Sequence, residues 1–341
     1  MIFRFILRRL AVFVLQLSGI TAAVFVVIRL LPADPVAQLV GLNASRDAYE
    51  ASKHALGLDR PMWAQFVSFL GLDKAHNGLL EGNLGTSWVT SQPVQREIFE
   101  SLPVTLEIVT YALLIAFLVA LPLGLASARK PGGLADRATL LWGLFAGAQP
   151  DYWWGLLFVF VFFFLLNIAP PPMGRFDPLM TAPPAITGFI TIDCLLAGDL
   201  GAFWIALQYI ALPVLTLAFV VSGAIIKMVR TNTLRALQSD YMLYARASGL
   251  PERMVARYAL RAALTPAVTL VGIFYGVLLS SAVTVEVVFS LNGIGQYAVR
   301  SVLAFDYPAI QGTVLVVAVV SLLIYLLLDI VHAYLDPRIR T

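Results

Sequence analysis

WIALQYIALPVLTLAFVVSGAIIKMV (Trp204–Val229), SDYMLYARASGLPERMVARYALRAALTP (Ser239–Pro266) and AVTLVGIFYGVLLSSAVTVEVV (Ala267–Val288) follow one another along the chain, and the contrast between them decides the fold. The outer two are apolar runs long enough for the helix of roughly 20 residues that crosses a bilayer. The middle one is basic and amphipathic, and reads as two short helices on either side of Gly249-Leu250-Pro251. Glycine takes the left-handed cap that stops the first helix, and proline suits the first turn of the next. Beyond the turn Arg253, Arg257 and Arg261 recur every four residues, with Met254, Tyr258 and Ala262 one position away. That spacing predicts a cationic face beside an apolar one.

Composition extends this reading outward. Of the residues 60% are hydrophobic and 13% charged, and the mean hydropathy is +0.84, outside the range of soluble globular domains. Six spans are expected in a single integral domain over 1–341, at about Leu10–Leu31, Val104–Ala128, Ala138–Ile168, Trp204–Val229, Ala267–Val288 and Ala309–Tyr334. The third is overlong and contains Gln149-Pro150-Asp151, which predicts a proline-kinked helix, with a broken or re-entrant segment as the alternative. The first follows Arg4, Arg8 and Arg9, yet its apolar run is longer than a signal-peptide core and no small-residue cleavage site follows, so it is expected to be retained. The single cysteine, Cys194, cannot form an intrachain disulfide, and His54, His76 and His332 are too scattered for a metal site.

Six spans put both termini on one side, and the distribution of Lys and Arg indicates which. The side carrying the N-terminal tail, Arg129–Arg137, Lys227–Arg261 and the C-terminal tail holds fifteen of them, and the opposite side seven. The first side is expected to be cytoplasmic, so 227–266 is a cytoplasmic loop and 32–103 and 169–203 are external. The first external loop has helix-like stretches at Asp47–Leu56 and Pro61–Leu70, a turn-rich run at Gly82–Ser87 and an amphipathic approach at Val94–Leu102. The second, with Pro170–Pro172, Pro178, Pro183 and Pro184, is expected to be irregular and semi-rigid. These loops either dock a soluble partner or brace the bundle.

On these residues the chain resembles, over essentially its whole length, the peptide-permease type of inner-membrane subunit found in binding-protein-dependent ABC importers of the dipeptide, oligopeptide and nickel group. Asp240-Tyr241, then Ala245-Arg246-Ala247-x-Gly249-Leu250, then Leu260-Arg261-x-Ala263-Leu264-x-Pro266 match the cytoplasmic signature of such permeases. Gly82–Ser87, Leu102–Glu107 (LPVTLE), Glu286–Gly295 (EVVFSLNGIG), Asp306-Tyr307-Pro308 with Gln311-Gly312, and the ending Asp336–Arg340 agree in order and separation. Two departures stand out. Leu243-Tyr244-Ala245 occupies the place of Glu-Ala-Ala in the broader signature, and Leu291-Asn292 that of an expected Trp-Pro.

The resemblance implies an all-α membrane protein, a six-helix transmembrane bundle of the type I ABC importer kind with cytoplasmic N and C termini. It implies three kinds of partner besides the lipid bilayer: a second homologous permease subunit, one or two cytosolic ABC ATPase subunits that hold ATP and Mg, and an extracytoplasmic substrate-binding protein. The helix before Gly249 would be the coupling helix, with Asp240, Tyr241, Tyr244, Ala245, Arg246, Ala247, Gly249, Leu250, Pro251 and Glu252 meeting the ATPase. A short helix laid in a groove is a recurring recognition mode. The plainer reading is an amphipathic pair lying on the anionic leaflet.

This chain would supply pathway and motion rather than hydrolysis, since it has no G-x-x-x-x-G-K-[ST] loop. It also has no nucleophile elbow and no H-E-x-x-H, which argues against catalysis and a bound metal. The net charge of +3 reflects topological asymmetry rather than a nucleic-acid groove. Ionisable residues in spans are functional candidates. Asp151 with Gln149 at the proline, and Glu286, could line the pathway; Glu107, Glu286 and Asp329 lie near span ends, where structural roles are open to them. Two other classes stay in view, an ion-coupled secondary transporter of small polar solutes and a membrane enzyme. The first would show paired interrupted helices in similar halves, and no such repeat is evident.

Overall fold

The computed structural model describes residues 2–32, 34–41, 43–73 and 78–335, with the side chains of 2–6, 261–269 and 331–335 excepted. The ending Asp336–Arg340 and His76 lie outside the described residues, as do the side chains of Arg4, Arg261, Ala262 and His332. Helices follow in the order α1 (Ile2–Leu30), α2 (Pro35–Val40), α3 (Arg46–Ala55), α4 (Met62–Leu70), α5 (Val94–Arg129), α6 (Leu134–Ala146) and α7 (Asp151–Phe158). After them come α8 (Ile190–Leu196), α9 (Leu200–Leu237), α10 (Asp240–Ala247), α11 (Glu252–Phe289), α12 (Ile294–Leu303) and α13 (Tyr307–Leu335).

Among the described residues five helices are long and apolar enough to cross a bilayer: Leu7–Leu30, Val94–Arg129, Leu200–Leu237, Leu270–Phe289 and Tyr307–Ile330. The pair Leu134–Ala146 and Asp151–Leu165 makes a sixth if it is one span, and it is bent by 102°. The proline-kinked helix expected over Ala138–Ile168 is therefore corrected to a broken one. Gly147 caps α6, and Pro150 (φ −61°, ψ 153°) stands before α7 with no N–H to continue the ladder. Past α7 the chain winds into a π-helix, Val159–Leu165.

Other boundaries shift too. The stretches read as helical in the 32–103 segment are α3 and α4. Val94–Leu102, expected as an approach, is the first part of α5, which runs through Pro103 and Pro122. The 169–203 segment is irregular only up to Phe189, because α8 forms within it and Asp199 starts α9 by accepting from Ala202 N at 2.8 Å. The second short helix expected after Pro251 is the beginning of the 38-residue α11.

The chain divides into two compact units, Met1–Leu102 with Gln296–Leu323, and Pro103–Gly295 with Ile324–Thr341. In the first, Phe25 of α1 packs against Phe66 and Phe69 of α4, with ring centroids 4.9 and 5.7 Å apart. Asp306, 3% exposed, caps α13 and accepts from Ser87 Oγ at 2.5 Å and Trp88 N at 3.2 Å, so the Gly82–Ser87 loop is tied to the Asp306-Tyr307-Pro308 motif. Tyr297 donates to Glu97 Oε2 at 2.8 Å.

The second unit is built on α5, α9 and α11, whose buried faces contribute Ile108, Val109, Ala112, Leu217, Ile225, Leu278, Ala282 and Val285. Apolar burial drives little association inside lipid, so close packing must hold such a bundle. Gly143 of α6 meets Gly223 of α9 so closely that a Cβ on Gly223 would lie 2.8 Å from Gly143 Cα. Beside that crossing Arg230 of α9 donates from Nη2 to Asp136 Oδ2 at 2.9 Å and from Nε to Oδ1, and Ser127 Oγ donates to Oδ1 at 2.6 Å.

Candidate functional site

The hairpin between α9 and α11 is shaped by its turn. Leu250 N donates to Ala245 O at 3.2 Å and Gly249 N to Arg246 O at 2.9 Å, the paired bonds of a Schellman motif. Gly249 has φ +80°, a region that side chains disfavour. Pro251 then precedes α11 in extended conformation (φ −65°, ψ 143°). The turn folds α10 onto its neighbours, and Met242, Ala236, Val255 and Ala259 form a buried cluster with Leu237 and Leu250 against it.

That packing sorts the candidates. Met242 is 1% exposed and anchors the helix, whereas Tyr241, Leu243 and Tyr244 are 54, 55 and 75% exposed. Asp240, Arg246, Ala247, Gly249, Pro251 and Glu252 are also exposed, with Ala245 and Leu250 half-buried. Arg246 Nε meets Glu252 Oε1 at 2.9 Å and Nη1 donates to Leu237 O at 3.3 Å, bracing the turn across its mouth. The expected apolar stripe of α11 is corrected by one position: Val255, Ala256 and Ala259 are buried, and Met254 and Tyr258 are exposed. Small residues at 256 and 259 let the hairpin close, which leaves the bulkier pair on the surface. Sequence reading missed Met242 as the buried anchor of this hairpin and Leu243 as part of its exposed surface. Spacing alone does not separate Met242 from Leu243.

The other candidates are dispersed. Gln149 is exposed in the break between α6 and α7, and Asp151 is the half-buried first residue of α7. Glu286, 0% exposed, accepts from Thr105 Oγ1, and Thr105 Oγ1 in turn accepts from Ile294 N at 2.9 Å. Its carboxyl lies where a Cβ on Gly293 would collide with it. The LPVTLE and EVVFSLNGIG motifs are thus one clasp, although 181 residues separate Thr105 from Glu286.

Glu107, also 0% exposed, makes a second clasp. Its Oε1 accepts from Thr191 Oγ1 (2.6 Å) and Thr191 N (3.0 Å), and its Oε2 from Ile190 N (3.2 Å) and Arg175 Nη1 (3.4 Å). The carboxylate caps α8 and pins the proline-rich segment. Asp193 adds to the pin, accepting from Thr187 N and Oγ1 at 2.7 Å each and from Gly188 N at 3.0 Å. Burial alone would raise the Asp193 carboxyl, but these bonds outweigh it and hold the group below its usual 3.8. Gly188 has φ +79°, and a Cβ there would lie 2.6 Å from Pro103 Cβ. Among the described residues no group of three or more His, Cys, Asp or Glu is placed to hold a metal ion.

Over residues 120–341 the chain matches the family described as binding-protein-dependent transport system inner membrane component, and over 2–109 the N-terminal family of the same membrane components. It is 38% identical over 327 residues to the probable D,D-dipeptide transport system permease protein DdpB of Escherichia coli, covering 96% of this chain and 94% of that protein. It is 36% identical over 338 residues to the di/tripeptide transport system permease protein DppB of Pseudomonas aeruginosa, covering 98% of each. To the dipeptide transport system permease protein DppB of Escherichia coli the identity is 33% over 341 residues, 99% of this chain and 98% of the relative. The chain belongs to the family of inner membrane components of binding-protein-dependent transport systems. It is a permease subunit, an all-α multi-pass protein of the bacterial inner membrane.

Proposed function

We propose that this chain forms half of the translocation pathway of an ABC importer for short peptides, paired with a second, homologous permease subunit. Cytosolic ATPase subunits bind ATP and Mg and hydrolyse the nucleotide, and an extracytoplasmic binding protein delivers cargo. The names of the relatives, each a permease of a dipeptide or di/tripeptide system, support the substrate class. In this reading both termini and 227–266 face the cytoplasm, while 32–103 and 169–203 face outward. Closure of the ATPases on ATP carries α10 with it and shifts the bundle between its inward- and outward-facing states.

One observation carries the proposal. Tyr241, Leu243 and Tyr244 project from a short helix whose opposite side is anchored by Met242, and whose turn is fixed by Gly249 and by the Arg246–Glu252 pair. A rigid, exposed aromatic-aliphatic patch at the tip of a hairpin is what a groove on a soluble subunit takes hold of. The test is reconstitution of the assembled importer with Tyr244→Ala and Leu243→Ala together. Peptide uptake is expected to fall by at least about tenfold, as loss of interface anchors implies, with the thermal stability of the chain unchanged. Uptake at the wild-type rate, or uptake by the lone chain on an ion gradient, refutes the proposal.

A further inference from the structure

The first unit contains a cavity of about 590 Å³ whose walls include Arg29, Arg60, Gln65, Trp88, Tyr307 and Gln311. Its described lining has two arginines and no carboxylate. Arg29, in the last turn of α1, donates from Nε to Gln65 Oε1 at 2.7 Å and from Nη1 to Phe25 O at 3.3 Å. Its guanidinium carbon lies 3.5 Å from the centre of the Phe25 ring and 5.9 Å from that of Tyr307. All of these neighbours are uncharged. Gln311 is 3% exposed, and its amide nitrogen has no hydrogen-bond partner among the described residues.

A partly buried cation whose described contacts are all neutral, sharing a cavity with a buried donor that lacks an acceptor among the described residues, is electrostatically incomplete. The guanidinium fork matches a carboxylate or a phosphate, and the volume falls in the range of about 300–1,000 Å³ usual for small-ligand sites. We propose that this cavity binds a small oxyanion, held by Arg29 with Gln311 as a neutral donor. The oxyanion is either the free carboxylate of a small solute or the phosphate of a lipid headgroup, because the end of an apolar span lies at the level of both. The site does not depend on the coupling role of α10, so either proposal can fail alone.

The test uses the full-length chain in phosphate-free maltoside micelles, titrated calorimetrically with inorganic phosphate, with alanylalanine and with the C-terminal amide of alanylalanine. A parallel arm counts phospholipid retained from the native membrane by mass spectrometry. Saturable binding of phosphate or alanylalanine is expected, about tenfold weaker for Arg29→Gln, as loss of a charge-assisted bond implies, and partly kept by Arg29→Lys. Gln311→Leu removes the donor that has no acceptor, so it should weaken binding without lowering the melting temperature, a separation that a purely structural role would not give. Binding of alanylalanine but not of its amide assigns the solute carboxylate. Phospholipid retained by the wild type and lost from Arg29→Gln assigns the headgroup. Absence of any bound probe or lipid, or binding that neither Arg29→Gln nor Gln311→Leu alters, overturns the proposal.

Discussion

Replacing Glu107 by Gln keeps the volume of the side chain and removes both its charge and one of its two acceptor oxygens. Of the four bonds that Glu107 accepts, two reach each oxygen, so whichever way the amide turns, its NH₂ faces two former donors. Each buried donor left without an acceptor costs about 1–3 kcal/mol, which places the loss on the order of 3 kcal/mol. The loss falls on α8, whose first two N–H groups the carboxylate caps. That helix carries Cys194, 0% exposed and the only cysteine of the chain, with its thiol pushed up by burial. Labelling of Cys194 by a maleimide therefore reports the opening of α8. If opening is a pre-equilibrium, 3 kcal/mol raises the labelling rate by about a hundredfold, since roughly 1.4 kcal/mol is a factor of ten. Glu100→Gln, which breaks the exposed 3.0 Å pair with Arg96, serves as the control and should change little. Labelling of the Glu107→Gln chain within about twofold of the wild type would refute the clasp.

Met242→Ala should destabilise the hairpin by about 2–5 kcal/mol, as a large-to-small change at a buried anchor does; limited trypsinolysis after Arg246 and Arg253 reads it as faster cleavage, with Tyr244→Ala as the unchanged comparison. Gly188→Ala combines a positive φ with a collision against Pro103 and should cost ~2–4 kcal/mol, seen as a lower melting temperature of the purified chain. The depressed carboxyl of Asp193 gives stability that is fully present above the usual value of 3.8 and is lost as pH falls from there through the lower folded value. Hydrogen exchange at Thr187 and Gly188, corrected for the intrinsic rate, should stay protected through the neutral and mildly acid range and lose protection only below that point. Gly223→Leu should separate α6 from α9 and abolish accumulation of the folded chain in the membrane, measured by fluorescence-detected size exclusion.

Spans are legible in this sequence because crossing a bilayer demands long apolar runs, and the Gly249-Leu250-Pro251 turn is legible because both its conformations are encoded locally. The break before α7 is harder to read. Proline signals a disturbance, but whether a helix kinks or stops depends on what packs around it, and here Gly147 and the extended Pro150 end one helix and start another. Glu107 and Glu286 show up in sequence as carboxylates near span ends and as members of the LPVTLE and EVVFSLNGIG motifs, without any sign of what they bind. Their partners, Thr191 and Thr105, lie 84 and 181 residues away, and no local pattern links them. In α10 the composition identifies an amphipathic helix, yet which of Met242 and Leu243 is buried follows from the direction in which the Schellman turn folds it onto α9 and α11.

The coupling role of α10 is tested most directly by a photo-crosslinking amino acid placed at position 244, where Tyr244 is 75% exposed, in the importer assembled in its native membrane. Illumination should join this chain to an ATPase subunit, with a yield that changes when ATP is added. Cross-links to lipid alone, or none to any ATPase subunit with or without nucleotide, would contradict the account.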